Sequence, residues 1–447
     1  MAASLFGFLF ILASMAARVK QFAYMNNNRK LSSQFYFTIL IYPLWSFFLS
    51  LKYFRQPQAK NLFWLFCIFL GMIHIYNPEG GSAADGVRYA QVLVEMHEEP
   101  VTWEKFTASF YKEGSTNRVD IYMPFVAFLV SLITSNPHWL FFIFAIVFGY
   151  FYSRNIWFVL EKMPNKLGFS FISFIACYML LCPIWEINAV RMWTALHVFV
   201  YGALPYIYHS DRSKLVWCFV SIFVHFSFIL PLLIFILYHF IPKSVTVLYC
   251  IYLTTFFIEI INFDHVRSFL MLVLPDFLLS RVDIYINEDL AQSDNEALSA
   301  VNFYIRLSYQ IIKWTIAVAF FVICFYGKKW LQSNKSLYNL VCISLFTYAT
   351  FNIVSLLPQG VRFLEISKMF SFISIILFFA SIPNKYNNNK IRMTFKGMSL
   401  VLLVPILFFL RKGCDYYGVS LFFNPIVNLF VDDNQPIIYF FKSVFKY

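Results

Sequence analysis

The chain has 447 residues, of which 60% are hydrophobic and 13% are charged, and its mean hydropathy is +0.65. Soluble domains carry roughly 45–50% apolar and about 25% charged residues, so this composition excludes an ordinary soluble globular protein. The net charge of +12 does not indicate nucleic-acid binding, because most Lys and Arg residues lie in short loops between apolar runs, where they determine membrane topology.

Apolar runs long enough to cross a bilayer, or nearly so, follow one another along almost the whole chain. They cover roughly residues 4–17, 33–51, 61–76, 138–153, 168–182, 189–208, 215–230, 231–241, 244–262, 309–327, 336–357, 363–382 and 397–410. Because a straight span needs ~20 residues, these runs predict an all-α polytopic integral membrane protein with about 12–14 transmembrane helices. No segment remains for a separate soluble domain, so residues 1–447 are interpreted as a single membrane domain. Residues 121–135 are predicted to form a partial or re-entrant helix, and a break is expected at Pro231.

Three short loops between the runs are basic and contain no acid. Residues 52–60 and 327–336 each carry three Lys or Arg residues, and residues 383–396 carry four. The positive-inside rule makes these loops cytoplasmic. The basic loop 18–32 would then be external, which disagrees with the rule unless the first run lies in the membrane interface.

Two long loops are acidic and fall on the opposite side. Residues 77–120 carry eight acids against four bases, and residues 263–306 carry seven against three. Both are external on the same alternation, as is the C-terminal tail 411–447. We therefore predict that the functional residues face the non-cytoplasmic side of the membrane.

The run that begins near residue 189 has charged residues at its predicted external end. Asn188 is predicted to be the N-cap of this helix, and Arg191 follows inside the first turn. Because the helix dipole disfavours a cation at an N-terminus, we expect Arg191 to bind an anion. Asn188 and the neighbouring Glu186 are therefore candidate substrate-binding residues. The alternative is that Arg191 snorkels to phospholipid headgroups.

A second arginine occupies a similar place later in the chain. The sequence Leu357-Pro-Gln-Gly makes a turn, and Arg362 follows it at the external start of the run 363–382. Two arginines at external helix N-termini could clamp a phosphate or diphosphate, assisted by free backbone N–H groups. The alternative is that each arginine anchors its own helix.

Two residues are candidates for a proton acceptor. His225 lies within an apolar run, where it must find a hydrogen-bond partner, and is either a packed structural histidine or a base. Asp85 lies in the external loop, three residues before Arg88, so these two form either an i,i+3 ion pair or a site that orients sugar hydroxyls. His197 and His74 are interpreted as structural.

The order of four short motifs resembles the EpsG-like branch of the Wzy-type polysaccharide polymerases. The motifs are Asp85-x-x-x-Tyr89, Asn188-x-x-Arg191, His225-Phe-Ser227 and Arg362-Phe363, and the resemblance spans roughly residues 35–385. Members of this family usually continue the Asn-x-x-Arg motif with Gln and a run of small residues, whereas Met192 and Trp193 follow it here.

The resemblance implies a membrane glycosyltransferase that joins lipid-linked oligosaccharide repeat units for capsule, exopolysaccharide or O-antigen. It would work on the outer face of the bacterial cytoplasmic membrane, and its architecture would be similar to that of the C-type membrane glycosyltransferases. It would need no metal and no other cofactor. The sequence has no Asp-x-Asp near an external helix start and no His cluster, which agrees with this expectation.

The expected leaving group is a polyprenyl diphosphate such as undecaprenyl diphosphate. Arg191 and Arg362 would stabilise its developing charge, and His225 or Asp85 would accept the proton of the attacking hydroxyl. Tyr89 joins the substrate-binding candidates. Further arginines in or beside the external loops are candidates for holding the second diphosphate: Arg88, Arg118 and Arg306. The expected partners are the lipid-linked oligosaccharide, membrane lipid and a chain-length regulator protein, with no nucleic acid.

Two other classes of membrane protein compete with the polymerase. A flippase for the same lipid-linked sugar would also use external cations, but it would need charged residues deep in the bundle and on both faces for alternating access. A membrane-bound acyltransferase would need a His and Asp or Asn pair, and no such pair stands out in the sequence.

Overall fold

The computed structural model describes most of the chain, and the regular structure in these residues is helical throughout. The described residues are 33–76, 84–110, 119–258, 302–383, 389–431 and 435–444. No strand occurs in these ranges, and the prediction of an all-α protein is confirmed. The predicted run 4–17, the loop 18–32 and nearly all of the acidic loop 263–306 lie outside the described residues.

The helices before the first long span are short. They are α1 Thr38–Ile41, α2 Pro43–Lys52, α3 Ala59–Met72, α4 Asp85–Glu98, α5 Trp103–Thr107 and α6 Tyr122–Ser131. α4 and α5 lie within the predicted external loop 77–120, which therefore contains helices of its own. α6 has ten residues, too few for a straight span, and corresponds to the partial helix predicted for residues 121–135.

The rest of the described chain is also helical. The central helices are α7 Pro137–Leu160, α8 Phe169–Leu181, α9 Val190–His209, α10 Val216–Val224, α11 Ile229–Leu237 and α12 Val245–Thr255. The later helices are α13 Phe303–Phe321, α14 Lys328–Ser333, α15 Lys335–Val354, α16 Leu364–Ser381, α17 Asn389–Val401, α18 Leu403–Gly413, α19 Pro425–Asn428 and α20 Ile437–Val444. Five short 3-10 helices of the described chain lead directly into an α-helix. Ser33–Phe37 precedes α1, Ile184–Ala189 precedes α9, Arg212–Leu215 precedes α10, Phe226–Phe228 precedes α11 and Gly360–Phe363 precedes α16.

Six helical segments of the described chain are long and apolar enough to cross a membrane. They are Pro137–Leu160, Phe169–His209, Phe303–Tyr326, Lys335–Val354, Gly360–Ser381 and Asn389–Gly413. Four shorter apolar helices accompany them: Ala59–Met72, Tyr122–Ser131, Phe226–Leu237 and Val245–Thr255. The polytopic membrane fold predicted from the apolar runs is therefore confirmed.

The apolar stretch that contains α10 and α11 is broken at His225, whereas the sequence predicted the break at Pro231. α10 ends just before His225, which takes an extended conformation (φ −148°, ψ 116°), and the chain resumes in the 3-10 helix Phe226–Phe228. Pro231 lies in the first turn of α11, where its missing N–H is tolerated. The break leaves the backbone N–H of Phe226 available to a side chain.

α7 lies in the core, packed along α3 on one side and α9 on another. A Cβ added at Gly71 would lie 2.1 Å from Cβ of Ala145, so a glycine is needed for this close approach of α3 and α7. Phe141, Phe144 and Phe148 of α7 are fully buried. This rigid centre supports the start of α6 and the start of α9, where the candidate functional residues lie.

Candidate active site

Asp120 directly precedes α6 and is the central acceptor of a polar cluster. The residue is only 8% exposed, although it belongs to a segment that the sequence assigned to an external loop. The N–H of Ile121 donates to the carbonyl oxygen of Phe223 at 3.1 Å, which holds this segment beside the end of α10. In the sequence Asp120 is one of eight acids in the loop 77–120. Only its position just before an apolar stretch distinguishes it from the others.

Three donors from distant parts of the chain converge on the Asp120 carboxylate. Nη1 of Arg191 donates to Oδ2 at 2.9 Å, and Nδ1 of His225 lies 3.0 Å from the same oxygen. The backbone N–H of Phe226 donates to Oδ1 at 2.7 Å. We call Asp120, Arg191, His225 and Tyr89 the Asp120 cluster. Arg191 and His225, which the sequence proposed for separate roles, are thus joined by a residue that it did not select.

The surroundings of Asp120 favour its ionised form. Burial alone would raise the pKa of the carboxyl, but the hydrogen bonds and charges of its partners outweigh burial. The hydrogen bond and charge of His225 contribute most, followed by the N–H of Phe226 and the charge of Arg191, and the pKa of Asp120 lies below its usual value. Asp120 is therefore an acceptor in this cluster and not a proton donor at neutral pH.

Arg191 is oriented by two contacts and keeps further donors free. Its Nε donates to the hydroxyl oxygen of Tyr89 at 3.3 Å, in addition to the bond from Nη1 to Asp120. Tyr89 is buried, and burial raises the pKa of its phenol, so the hydroxyl keeps its proton. The Arg191 side chain is 35% exposed, and its other N–H groups donate to no acceptor in the described ranges. They are available to an anion at the outer edge of the cluster.

His225 presents one ring nitrogen to Asp120 and leaves the other unengaged. Because the carboxylate can only accept, Nδ1 carries the proton in the neutral ring. Nε2 forms no hydrogen bond with any described residue, and the side chain is 21% exposed. A histidine whose Nδ1–H is held by a carboxylate has the correct tautomer to accept a proton at Nε2.

Asp85, the other candidate base, is paired within its own helix. Arg88 donates to its Oδ1 across one turn of α4, and the Arg88 side chain is 60% exposed. Asp85 and Arg88 therefore form the i,i+3 ion pair that was one of the two predicted arrangements. Neither residue forms a hydrogen bond with the Asp120 cluster, although Tyr89 lies next to Arg88 on the same helix.

Asn188 does not cap α9, which corrects the sequence prediction. The 3-10 helix continues to Ala189, so the N-cap position falls one residue later and has no side-chain cap. Asn188 packs instead against the first turn of α4, because a Cβ added at Gly86 would lie 2.0 Å from its Oδ1. His197, interpreted as structural, is buried with Nε2 2.9 Å from the Cys182 carbonyl oxygen.

Glu186 belongs to a second charged group and is separate from the Asp120 cluster. Its Oε1 accepts from Nζ of Lys412 at 2.6 Å. Nearby, Nζ of Lys368 donates to Glu365 at 2.6 Å and lies 4.8 Å from the centre of the Tyr309 ring. Lys368 is 6% exposed. Lys368 was not among the residues predicted from the sequence, because its partner Glu365 and its burial become evident only in the fold.

Arg362 lies close to the segment that follows His225. Its side chain is exposed, and it forms no hydrogen bond or ion pair with another described residue. The next residue, Phe363, stacks on Phe351 with ring centres 5.6 Å apart and lies 6.4 Å from the ring of Phe228. Because Phe228 belongs to the 3-10 helix after His225, the turn that carries Arg362 packs next to this segment.

Arg306 forms no hydrogen bond or ion pair with the Asp120 cluster. Its side chain is exposed on α13, and the nearby Tyr304 stacks on Phe408 of α18 with ring centres 4.9 Å apart. Arg118 lies outside the described residues. Among the residues that the structure describes, no group of three or more His, Cys, Asp or Glu side chains is arranged to hold a metal ion.

Comparison with known proteins gives one match. A family model described as the EpsG family matches residues 62–428, which is most of the chain. The matched segment includes all four members of the Asp120 cluster as well as Arg362. No curated protein and no solved structure matches the chain.

Proposed function

The chain belongs to the EpsG family, a Wzy-type polymerase-like family, and we propose that it is a membrane glycosyltransferase that polymerises lipid-linked oligosaccharide repeat units. The substrate would be a glycan chain on polyprenyl diphosphate, transferred to a second lipid-linked unit. The reaction would take place without a metal on the outer face of the bacterial cytoplasmic membrane. The arrangement of Asp120, Arg191 and His225 is the observation that carries this proposal.

The proposed step is a single displacement at the anomeric carbon. An acceptor hydroxyl oxygen forms the new glycosidic bond, and its proton passes to Nε2 of His225. The bond between the anomeric carbon and the diphosphate oxygen breaks, and the diphosphate leaves with the electron pair. The products are the lengthened glycan on the acceptor lipid and a free polyprenyl diphosphate.

His225 is favoured over Asp85 as the base. Its Nδ1 is engaged by Asp120 and its Nε2 is open, whereas the Asp85 carboxylate is occupied by Arg88. The imidazolium that forms after proton transfer would be stabilised by the Asp120 carboxylate 3.0 Å away. General bases of this kind contribute roughly 10²–10⁴-fold to a rate. Asp120 acts as a positioning residue because it holds both the ring of His225 and the guanidinium of Arg191.

The charge balance of the site explains the need for a second arginine. Arg191 is largely compensated by Asp120, so it orients a phosphate more than it neutralises one. Arg362 is exposed and has no acidic partner in the described chain, so it can supply an uncompensated positive charge to the leaving diphosphate. Stabilisation of developing negative charge by one such donor contributes roughly 10²–10³-fold. Arg88 and Arg306 remain candidates for the second diphosphate.

The buried Lys368–Glu365 pair favours a flippase, since buried charges line transport pathways. Lys368 lies only four residues after the start of α16, about 6 Å along the helix from its first residue. The Asp120 cluster therefore lies at the same end of the bundle as the Lys368–Glu365 and Lys412–Glu186 pairs. Alternating access needs charged groups that serve both faces, so the polymerase is the better-supported function.

The test is polymerisation of lipid-linked repeat units by purified protein in vesicles, read as chain length on gels. We expect His225→Gln and Arg191→Gln to leave single repeat units unjoined, while both variants are still present in the membrane at wild-type levels. His209→Gln and Arg212→Gln are matched controls, because both residues are exposed and lie away from the cluster.

Two results would contradict the proposal. One is polymer of normal length from the His225 and Arg191 variants. The other is movement of labelled lipid-linked units across vesicles by the wild-type protein without any joining, which would favour a flippase.

A further inference from the structure

A basic groove opens at the far end of α8 from the Asp120 cluster. It lies between the start of α8 and one face of α17 and has a volume of about 490 Å³. α8 has 13 residues, so the groove lies about 20 Å along the helix from the end that leads to Arg191. Volumes of roughly 300–1,000 Å³ are typical of ligand sites.

The charged side chains that line this groove are all cationic. Lys166, Arg392 and Lys396 line it, and no Asp or Glu does. All three side chains are exposed, and none has an ion pair or hydrogen bond with another described residue. Arg392 and Lys396 are four residues apart on α17, so they lie on one face of the helix. Such an arrangement concentrates positive charge without an internal counter-charge.

The inner wall of the groove is aromatic, with hydroxyl groups at its side. Phe171, Phe379 and Phe395 line it, and Phe379 and Phe395 stack with ring centres 4.0 Å apart. The hydroxyl oxygens of Ser170 and Ser399 lie 3.1 Å apart across the two helices. From its rim inward, the groove therefore presents cationic side chains, then hydroxyl groups, then an apolar wall. This order matches the order of charged, polar and apolar groups along a phospholipid.

The groove faces the lipid side of the bundle. In the segment Asn389–Gly413, only 33% of the most apolar stretch is buried in protein, whereas the other five long segments are at least 56% buried. Phe169 and Leu400, which also line the groove, are 52% and 59% exposed. A ligand in this groove would be in contact with the bilayer, and the ligand must be partly apolar.

From the charge, the wall and the exposure we infer that this groove binds an anionic phospholipid. The headgroup phosphate contacts Arg392, Lys396 and Lys166, and the acyl chains lie along the phenylalanine wall. The loop 383–396 is the one that the positive-inside rule predicts to be cytoplasmic, so the lipid would come from the cytoplasmic leaflet, where anionic headgroups attract basic residues. This site is independent of the proposed glycosyl transfer.

The test counts bound lipid by native mass spectrometry of the full-length protein in detergent, with added phosphatidylglycerol or phosphatidylcholine. Wild-type protein should retain phosphatidylglycerol preferentially. Each cation near a membrane surface contributes roughly fivefold to such binding, so the double variant Arg392→Gln/Lys396→Gln should bind roughly 25-fold more weakly. Lys390→Gln is the matched control, because Lys390 is on the same helix, does not line the groove and lies 5.4 Å from the Tyr326 ring.

A second variant tests the groove without changing any charge. A Cβ added at Gly168 meets no atom within 4 Å, so Gly168→Phe should fold and partly fill the groove. We expect it to lower phosphatidylglycerol binding as well. The inference is overturned by unchanged binding in both variants, by equal binding of phosphatidylcholine, or by competition from glycerol phosphate at concentrations similar to those of the lipid.

Discussion

The substitution Asp120→Asn removes one negative charge from the centre of the candidate site and keeps the shape of the side chain. In the native protein the carboxylate accepts from Arg191, His225 and Phe226 at 2.7–3.0 Å. An amide oxygen can still accept from Phe226, but it cannot balance the charge of Arg191. The amide group can also turn an N–H toward His225, which would favour the wrong tautomer of the ring.

The expected effect on activity is larger than the effect on stability. Hydrogen bonds to charged groups contribute about 1.5–3 kcal/mol each. The Arg191 side chain is 35% exposed, so its share is reduced by solvent screening, and we expect the free energy of unfolding to fall by about 1–3 kcal/mol. The turnover number should fall roughly 10²–10⁴-fold, because the base loses its orientation and the imidazolium loses its partner.

The assay is the turnover number for polymerisation of lipid-linked repeat units by purified protein. Asp211→Asn is the control, since Asp211 is a surface acid whose capping bond to Ser213 an amide oxygen can replace. Activity within threefold of wild type would refute the proposed role of Asp120.

Acid should remove the stability that Asp120 provides. Because its pKa in the folded protein lies below the usual value, ionised Asp120 stabilises the fold above about pH 4. This contribution is lost as the pH falls through the lowered pKa, since the unfolded chain takes up the proton more readily. The melting temperature of wild-type protein should therefore drop more steeply below about pH 4 than that of Asp120→Asn, as differential scanning fluorimetry would measure.

Three further substitutions separate catalysis from packing. Arg362→Gln should lower turnover roughly 10²–10³-fold. The melting temperature should stay unchanged, because the Arg362 side chain is exposed. Arg212→Gln is the control, and equal turnover in the two variants would contradict the diphosphate role of Arg362. Gly360→Ala should destabilise the protein by about 1–3 kcal/mol, because the new Cβ would lie 1.9 Å from the Val354 carbonyl oxygen; an unchanged melting temperature would show that the turn relaxes. Asp85→Asn should leave the rate of polymerisation within threefold of wild type, since the Asp85 carboxylate is paired with a surface arginine. A loss of 100-fold or more in turnover would make Asp85 the base.

The sequence by itself determined the class of the protein and much of its helical layout. Hydropathy is a local property, because each apolar run must be buried in lipid or protein wherever it lies in the fold. The same reasoning identified Arg191, Arg362 and His225, because each is a charged or titratable side chain within an apolar run or at its end. The order of the motifs along the chain was enough to indicate the EpsG family, which the family model confirms over residues 62–428.

Only the tertiary structure decided how these residues act together. Asp120 meets Arg191 across 71 residues and His225 across 105, and Glu186 meets Lys412 across 226. No local pattern encodes such pairings, because they depend on which helix ends meet after packing. The break at His225 is decided in the same way. An extended residue within an apolar run costs helical hydrogen bonds, and it persists here because the N–H of Phe226 reaches the Asp120 carboxylate at 2.7 Å.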